Sequence, residues 1–106
     1  LYAIFLDKPH GRILATHRMS AGGASSAPVP MHEIMAEAKQ HKAGAAILVH
    51  NHPSGRIIPS REDEAITRKL QSICTPVGVR VLDHIIVGDN QYFSFTEHRL
   101  LSEKIF

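Results

Sequence analysis

The segment from His50 to Asp63 has the residue types and the spacing that could bind a divalent metal ion. It begins with His50-Asn51-His52-Pro53. Alternate side chains of an extended chain point to the same side, so His50 and His52 project together while Asn51 projects away. Pro53 favours extended backbone at His52 and so preserves that arrangement. Two imidazoles that leave a strand end together supply half of a tetrahedral zinc site.

Asp63 is a third candidate ligand, from the next helix along the chain. Ser60 has the side chain of an N-cap, which makes Asp63 the third helical residue. The apolar stripe of this helix runs through Ile66, Leu70 and Ile73, and Asp63 lies on it. A carboxylate on an inward stripe is costly unless it has a partner, and a metal held by the histidines would be one. Two histidines and one carboxylate leave a position for water, as in catalytic zinc sites.

Each of these residues also has an ordinary structural explanation. Asp63 could close a capping box with Ser60 and interact favourably with the helix dipole. His50 and His52 could be loop histidines that hydrogen-bond to the backbone. The joint pattern favours the metal site, because it places three ligands at compatible positions beside a proline and an N-cap.

The composition indicates a soluble globular domain. The 106 residues are 43% hydrophobic and 21% charged, which is ordinary for a chain with one core. The single cysteine, Cys74, excludes an internal disulfide and fits a reducing cytoplasm. The apolar runs are too short to span a membrane. A formal net charge of +2 with scattered basic residues gives no support for a nucleic-acid surface.

The elements that must position the candidate ligands alternate between strands and helices. We predict strands at 1–6, 13–17, 45–50, 79–87 and 91–95, and a helix from Met31 to Lys42. Residues 21–30 form a small-residue connector, and a second helix runs from the Ser60 cap to about Thr75. Thr96 would cap a short final helix. This order predicts a single α/β domain in which a mixed β-sheet is flanked by helices.

Two neighbouring residues of the fourth strand, Asp83 and His84, are also candidates for chemistry. Neighbours in a regular strand face opposite sides, so both reach one site only if the strand has a bulge. We therefore predict that His84 shares a face with Leu82 and that both residues of the pair are buried, hydrogen-bonded structural residues. Cys74, near the end of the second helix, is predicted to be a small core residue.

The pattern His-x-His-Pro, six residues, Ser, two residues, Asp resembles the JAMM signature of JAB/MPN metalloproteases. The stretch from His50 to Gly55, with Pro59-Ser60 and Glu62-Asp63, is similar to the RadC-like branch in particular. Residues 82–88 and 92–95 share that similarity. The chain is thus identified as a RadC-like JAB/MPN domain over residues 1–106, which implies the JAB/MPN (cytidine-deaminase-like) architecture.

The resemblance implies a zinc-dependent hydrolase that cleaves peptide or isopeptide bonds. His50, His52 and Asp63 would bind Zn²⁺, Ser60 would donate a hydrogen bond to the developing oxyanion, and a glutamate would act as general base. The partner would be a peptide or protein substrate in the cytoplasm, with no direct nucleic-acid contact and no membrane. The alternative is a non-catalytic metal-binding or protein-interaction module of a RadC-like protein associated with DNA repair.

The general-base glutamate of this family lies just before the strand that corresponds to residues 1–6. We therefore expect it upstream of Leu1, in a natural protein that is longer at that end. Glu33 is the internal alternative, because RadC-like proteins carry Pro-Arg-Glu where this chain has Met31-His32-Glu33. Helical phase places Glu33 and Glu37 on one polar flank of the helix. Exposure of that flank to solvent accounts for a charged side chain at Glu33 without a catalytic role.

Overall fold

The computed structural model describes residues 1–7, 11–19 and 30–101. Within these ranges the strands are β1 (Tyr2–Leu6), β2 (Ile13–Arg18), β3 (Ala45–Asn51), β4 (Arg80–Gly88) and β5 (Gln91–Ser94). The helices are α1 (Met31–Gln40) and α2 (Arg61–Cys74), and a 3₁₀ turn at Thr75–Val77 comes after α2. Neither described helix is long and apolar enough to cross a membrane. The predicted connector at 21–30 lies outside the described residues, except for Pro30.

The strands form one mixed sheet in the order β2-β1-β3-β4-β5. β3 and β4 run parallel, and the other neighbouring pairs are antiparallel. α2 is the crossover between the parallel pair, as such a connection requires. β3 occupies the centre of the sheet, as its continuous apolar sequence predicts. The α/β fold class and the mixed sheet predicted from the sequence are confirmed.

Both helices pack into one core on a single face of the sheet. Ile34 of α1 and Leu70 of α2 are fully buried in the same cluster as Phe5 of β1 and Leu48 of β3. Full burial of a side chain of this size stabilises a fold by about 1.5–3 kcal/mol. The shared core therefore holds α2 at a defined position over the end of β3, where the candidate ligands lie.

The inward face of α2 is turned slightly from the predicted one. The buried positions have helical spacing: Asp63, Thr67, Leu70 and Cys74. The predicted stripe members Ile66 and Ile73 are only half-buried. Asp63 is 2% exposed, so the prediction that this carboxylate faces inward is confirmed. Cys74 is fully buried, as predicted.

A bulge in β4 changes which of its residues face the core. Ala46 pairs with Val81, whereas the next residue of β3 pairs with Asp83, so Leu82 is the extra residue. Val81 and His84 are therefore both buried beneath the helices, and Leu82 is only half-buried. The prediction that His84 shares a face with Leu82 is wrong because it assumed a regular strand, while the predicted burial of His84 is confirmed.

The predicted helix after Thr96 is absent from the described residues. Residues 96–99 form turns instead, and the Arg99 N–H donates to the Thr96 carbonyl oxygen at 3.1 Å. Arg99 has a φ of 57°, in the left-handed region, which interrupts a right-handed helix. The Thr96 hydroxyl donates to the carbonyl oxygen of Leu82 and so ties the turn to β4.

Cys74 offers a test of this core. Its Sγ lies 3.5 Å from the sulfur of Met35, and burial raises the pKa of the thiol to about 11. The thiolate is the reactive form, so a chromogenic disulfide reagent should label the folded chain at least roughly 100-fold more slowly than the urea-unfolded chain. Absorbance of the released thiol measures both rates. Equal rates would contradict the packing of α2 on the sheet.

Candidate metal site

His50 is carried to the helix-covered face by the central strand. It lies two residues after Leu48, which is buried in the core, and alternation places both side chains on that face. Its Nδ1 lies 3.1 Å from Oδ1 of Asp63. The His50 side chain is 12% exposed, so it lies near the surface of the site without being fully enclosed.

His52 reaches the same carboxylate from just beyond β3. Its Nε2 lies 3.1 Å from Oδ2 of Asp63, and its Nδ1 lies 2.8 Å from the carbonyl oxygen of Arg56. A carbonyl oxygen only accepts hydrogen bonds, so Nδ1 carries a hydrogen. Neutral His52 then presents a lone pair at Nε2, which a carboxylate oxygen repels unless a proton or a metal cation lies between them. This contact fits a cation site.

Asp63 is held by the first turn of α2. Its Oδ2 accepts the Ser60 N–H at 2.8 Å, and its own N–H donates to Ser60 Oγ at 3.0 Å, which forms a capping box. Burial by itself would raise the pKa of Asp63, but the hydrogen bond with His50 and the contacts with Ser60 outweigh it and hold the pKa well below its usual range. The carboxylate is therefore ionised, as a metal ligand must be.

Ser60 uses its hydroxyl oxygen, not its hydroxyl hydrogen, to cap α2. The oxygen accepts the Asp63 N–H, and the hydroxyl also makes a side-chain hydrogen bond with the Asp63 carboxylate, in which only the hydroxyl can donate. Ser60 is exposed, so a bound molecule could take over this hydrogen from the carboxylate. Capping and donation to an oxyanion are thus compatible for this one side chain, and the catalytic role of Ser60 stays a prediction.

The structure places His84 beside these residues, although the sequence suggested only a structural role for it. Its ring centroid lies 5.9 Å from that of His50 and 4.7 Å from that of Phe95, stacked against both rings. One ligand atom each of His50, Asp63 and His84 lie within 4.8 Å of one another. The signal in the sequence was the resemblance of residues 82–88 to the RadC-like branch. The bulge that aims His84 inward was not predicted.

Asp83 joins β4 to the end of β5. Its Oδ2 accepts the Ser94 hydroxyl at 2.6 Å, and its Oδ1 accepts the Thr96 N–H at 3.0 Å. It also accepts the N–H of His84 at 2.8 Å. These bonds fix the strand beside His84. Asp83 is hydrogen-bonded, as predicted, but it is only half-buried, so the predicted burial of Asp83 is wrong.

Glu33, the internal alternative for a general base, lies against β2. Its Oε2 is 2.6 Å from Nε2 of His17, and Oε1 of Glu37 is 3.3 Å from Nδ1 of the same ring. The two carboxylate side chains are only 24% and 22% exposed. Glu33 and Glu37 share one flank of α1, as predicted, but this flank is only partly exposed to solvent, because a histidine of the neighbouring strand pairs with both glutamates.

The chain is similar to a family of bacterial proteins over nearly its whole length. The family model described as RadC-like JAB domain matches residues 1–100. A UPF0758 protein of Nitrosococcus oceani is 48% identical over 98 residues, which cover 92% of this chain and 43% of that protein. A UPF0758 protein of Actinobacillus pleuropneumoniae serotype 5b is 44% identical over 96 residues, 91% of this chain and 43% of the relative. The chain thus spans less than half the length of these curated relatives.

The free energy of unfolding of the metal-free chain should fall in acid, over a pH range that the titration of His84 determines. Burial lowers the pKa of His84 to about 4; of the nearby charges, Asp63 and Asp83 raise it and His50 and His52 lower it. The unfolded chain binds this proton near pH ~6.5, but the folded chain does not until about pH 4. Stability should therefore fall as the pH drops through that range, by up to roughly 3 kcal/mol for this group.

Urea denaturation of the zinc-free chain at a series of pH values measures this loss. The His84→Phe variant should lack that part of the pH dependence, while the matched control His41→Phe, at the end of α1, should keep it. Below the ordinary Asp63 value of 3.8, the lowered pKa of that carboxylate adds a further loss, because its stabilising charge disappears as the pH falls. The same pH profile in wild type and His84→Phe would contradict the assignment.

Proposed function

Because this chain belongs to the RadC-like JAB domain family, we propose that it is a zinc-dependent hydrolase of peptide or isopeptide bonds. His50, His52 and Asp63 are the proposed zinc ligands, and Ser60 is the proposed catalytic hydrogen-bond donor. One observation carries the proposal: two imidazole nitrogens lie 3.1 Å from the two oxygens of one buried carboxylate. The proposed substrate is a peptide or protein of the cytoplasm, bound without nucleic acid or membrane.

The donor set fits zinc. Bonds from zinc to nitrogen or oxygen are about 2.0–2.1 Å long, so neighbouring ligand atoms of a tetrahedral shell lie about 3.3 Å apart. Nδ1 of His50 lies 3.1 Å from Oδ1 of Asp63 and Nε2 of His52 lies 3.1 Å from Oδ2, so each nitrogen is close to that spacing from one oxygen of the carboxylate. The Nδ1–H of His52 is tied to the carbonyl oxygen of Arg56, which is how ligating histidines are commonly oriented. The ligands come from β3 and α2, which the shared core holds together.

A zinc ion bound there would supply Lewis-acid activation of the scissile carbonyl and of water. The residues of the chain orient and stabilise the rest of the reaction. Ser60 would donate its hydroxyl hydrogen to the oxygen that becomes negative in the transition state. Its position at the N-terminus of α2 adds the favourable end of the helix dipole. The exposed Ser60 marks the open side where a substrate enters, and the buried Asp63 lies beneath it.

The second candidate function is a metal-binding module that contacts a protein partner, associated with DNA repair, without hydrolysis. The position of Glu33 favours it, because this carboxylate is paired with His17 of β2. Loss of a general base lowers hydrolytic rates by about 10²–10⁴-fold. If Glu33 only pairs with His17, Glu33→Gln should leave any hydrolytic rate of this chain unchanged.

The metal proposal predicts about one zinc ion per chain after purification without chelator, as a single three-ligand site holds one ion. The His50→Ala/His52→Ala variant should lose it, since two of the three ligands are removed. The matched control His17→Ala/His41→Ala removes two imidazoles beside Glu37 and should keep its zinc. Plasma mass spectrometry gives the metal content, and circular dichroism verifies the fold. Equal zinc in both double variants would contradict the ligand assignment.

The proposed role of Ser60 is tested with variants that separate its N-capping of α2 from its hydrogen-bond donation to the oxyanion. Ser60→Gly removes the hydroxyl at a cost of only a few tenths of a kcal/mol as an N-cap, whereas Ser60→Thr keeps both functions. Loss of an oxyanion donor lowers kcat by roughly 10²–10³-fold, so Ser60→Gly should bind zinc yet show that loss. Ser60→Thr should retain most of the activity. Fluorogenic peptides and lysine-linked isopeptides, at matched zinc occupancy, serve as substrates.

Two results would count against this mechanism. Full activity in Ser60→Gly would leave Ser60 as a cap only. Complete zinc occupancy without cleavage of either substrate type would favour the metal-binding module over the hydrolase.

A further inference from the structure

His84 lies beneath the metal site proposed above, and this inference rests on that site. His84 is 1% exposed, and its Nε2 has no hydrogen-bond partner among the residues that the structure describes. A buried polar atom left unpaired costs about 1–3 kcal/mol. Buried polar groups are paired in the great majority of cases, so this atom calls for a functional explanation.

The other nitrogen of His84 is fixed by Thr67. The Thr67 hydroxyl donates its single hydrogen to the carbonyl oxygen of Asp63 at 2.8 Å. With that hydrogen used, Oγ1 of Thr67, which lies 2.6 Å from Nδ1 of His84, accepts the hydrogen of Nδ1. Neutral His84 therefore carries its lone pair on Nε2, the atom without a partner. Ligating histidines commonly donate their second N–H in this way.

The ring of His84 is also held in one orientation at the site. It stacks on Phe95 with an interplanar angle of 16° and on His50 with an angle of 27°. A His84 nitrogen, a His50 nitrogen and an Asp63 oxygen lie within 4.8 Å of one another, close enough to hold one ion between them. We propose that His84 is a further metal ligand, bound through Nε2, in addition to His50, His52 and Asp63.

A fourth protein ligand changes the character of the site. Three imidazoles and one carboxylate then surround the ion, and a water molecule joins only as the shell expands to five ligands, which catalytic zinc sites allow. His84 supplies the buried side of the shell, and His52, at 17% side-chain exposure, lies at the open side. Asp63 contributes to the proposed site in two ways. Its carboxylate would bind the ion, and its carbonyl oxygen positions His84 through Thr67.

Cadmium-113 NMR on the wild-type chain tests this directly. The chain is labelled with ¹⁵N-histidine and loaded with ¹¹³Cd²⁺, and scalar coupling between cadmium and each imidazole nitrogen is measured. Such coupling requires a bond, so a coupling to Nε2 of His84, assigned by its loss in His84→Phe, supports the proposal. Couplings confined to His50 and His52 would overturn it. The couplings themselves are measured on the unmodified chain, and His84→Phe serves only to assign them.

Zinc affinity of variants gives a second measurement. His84→Phe keeps a ring that can stack on Phe95, and its zinc affinity should fall by at least about 10–100-fold, the loss typical of residues that only support a ligand. Thr67→Val removes the partner of Nδ1 and should cause a smaller loss, whereas Thr67→Ser keeps the hydroxyl and should match wild type. The control His41→Phe should also match wild type.

The outcomes separate this inference from the function on which it rests. Wild-type affinity in a folded His84→Phe variant would overturn the role of His84 and leave the three-ligand site intact. A wild-type chain that binds neither zinc nor cadmium would overturn the proposed function itself, and His84 with it.

Discussion

The buried carboxylate of Asp63 ties the first turn of α2 to the end of β3. A negative charge that is 2% exposed is costly unless it is paired, and its low pKa shows that pairing outweighs burial. Its partners come from three directions: the start of its own helix, β3 and the segment after β3. The same charge attracts cations, so one residue links the stability of the helix start to the chemistry of the site.

The topology explains why these partners meet. β3 and β4 are parallel, and α2 crosses between them, so the end of β3 and the start of α2 come to the same edge of the sheet. Ligands in α/β folds gather at this edge. The core around Leu48 and Leu70 holds strand and helix at a set distance. A metal site gains from that rigidity, since ligand atoms must keep their separations to within tenths of an ångström.

The site differs in character between its buried and its open side. Thr67 and His84 are buried beside Asp63, and Nε2 of His84 has no hydrogen-bond partner among the described residues. Ser60 is exposed at the open side. The proposed metal-dependent hydrolase would need a buried side that can hold an ion and an open side that admits a second molecule. A purely structural metal site has no need of the open side.

Features of this protein that arise from local periodicity and capping could be predicted from its residues alone. The alternation of His50 and His52 and the Ser60 cap predicted that both imidazoles lie beside Asp63, as they do, while their ligand roles stay predictions. The position of His84 could not be predicted in this way, because the bulge in β4 arises from pairing with a strand more than 30 residues away along the chain. Strand registers and side-chain pairs between distant elements leave no periodic signal, since they depend on how the whole core packs.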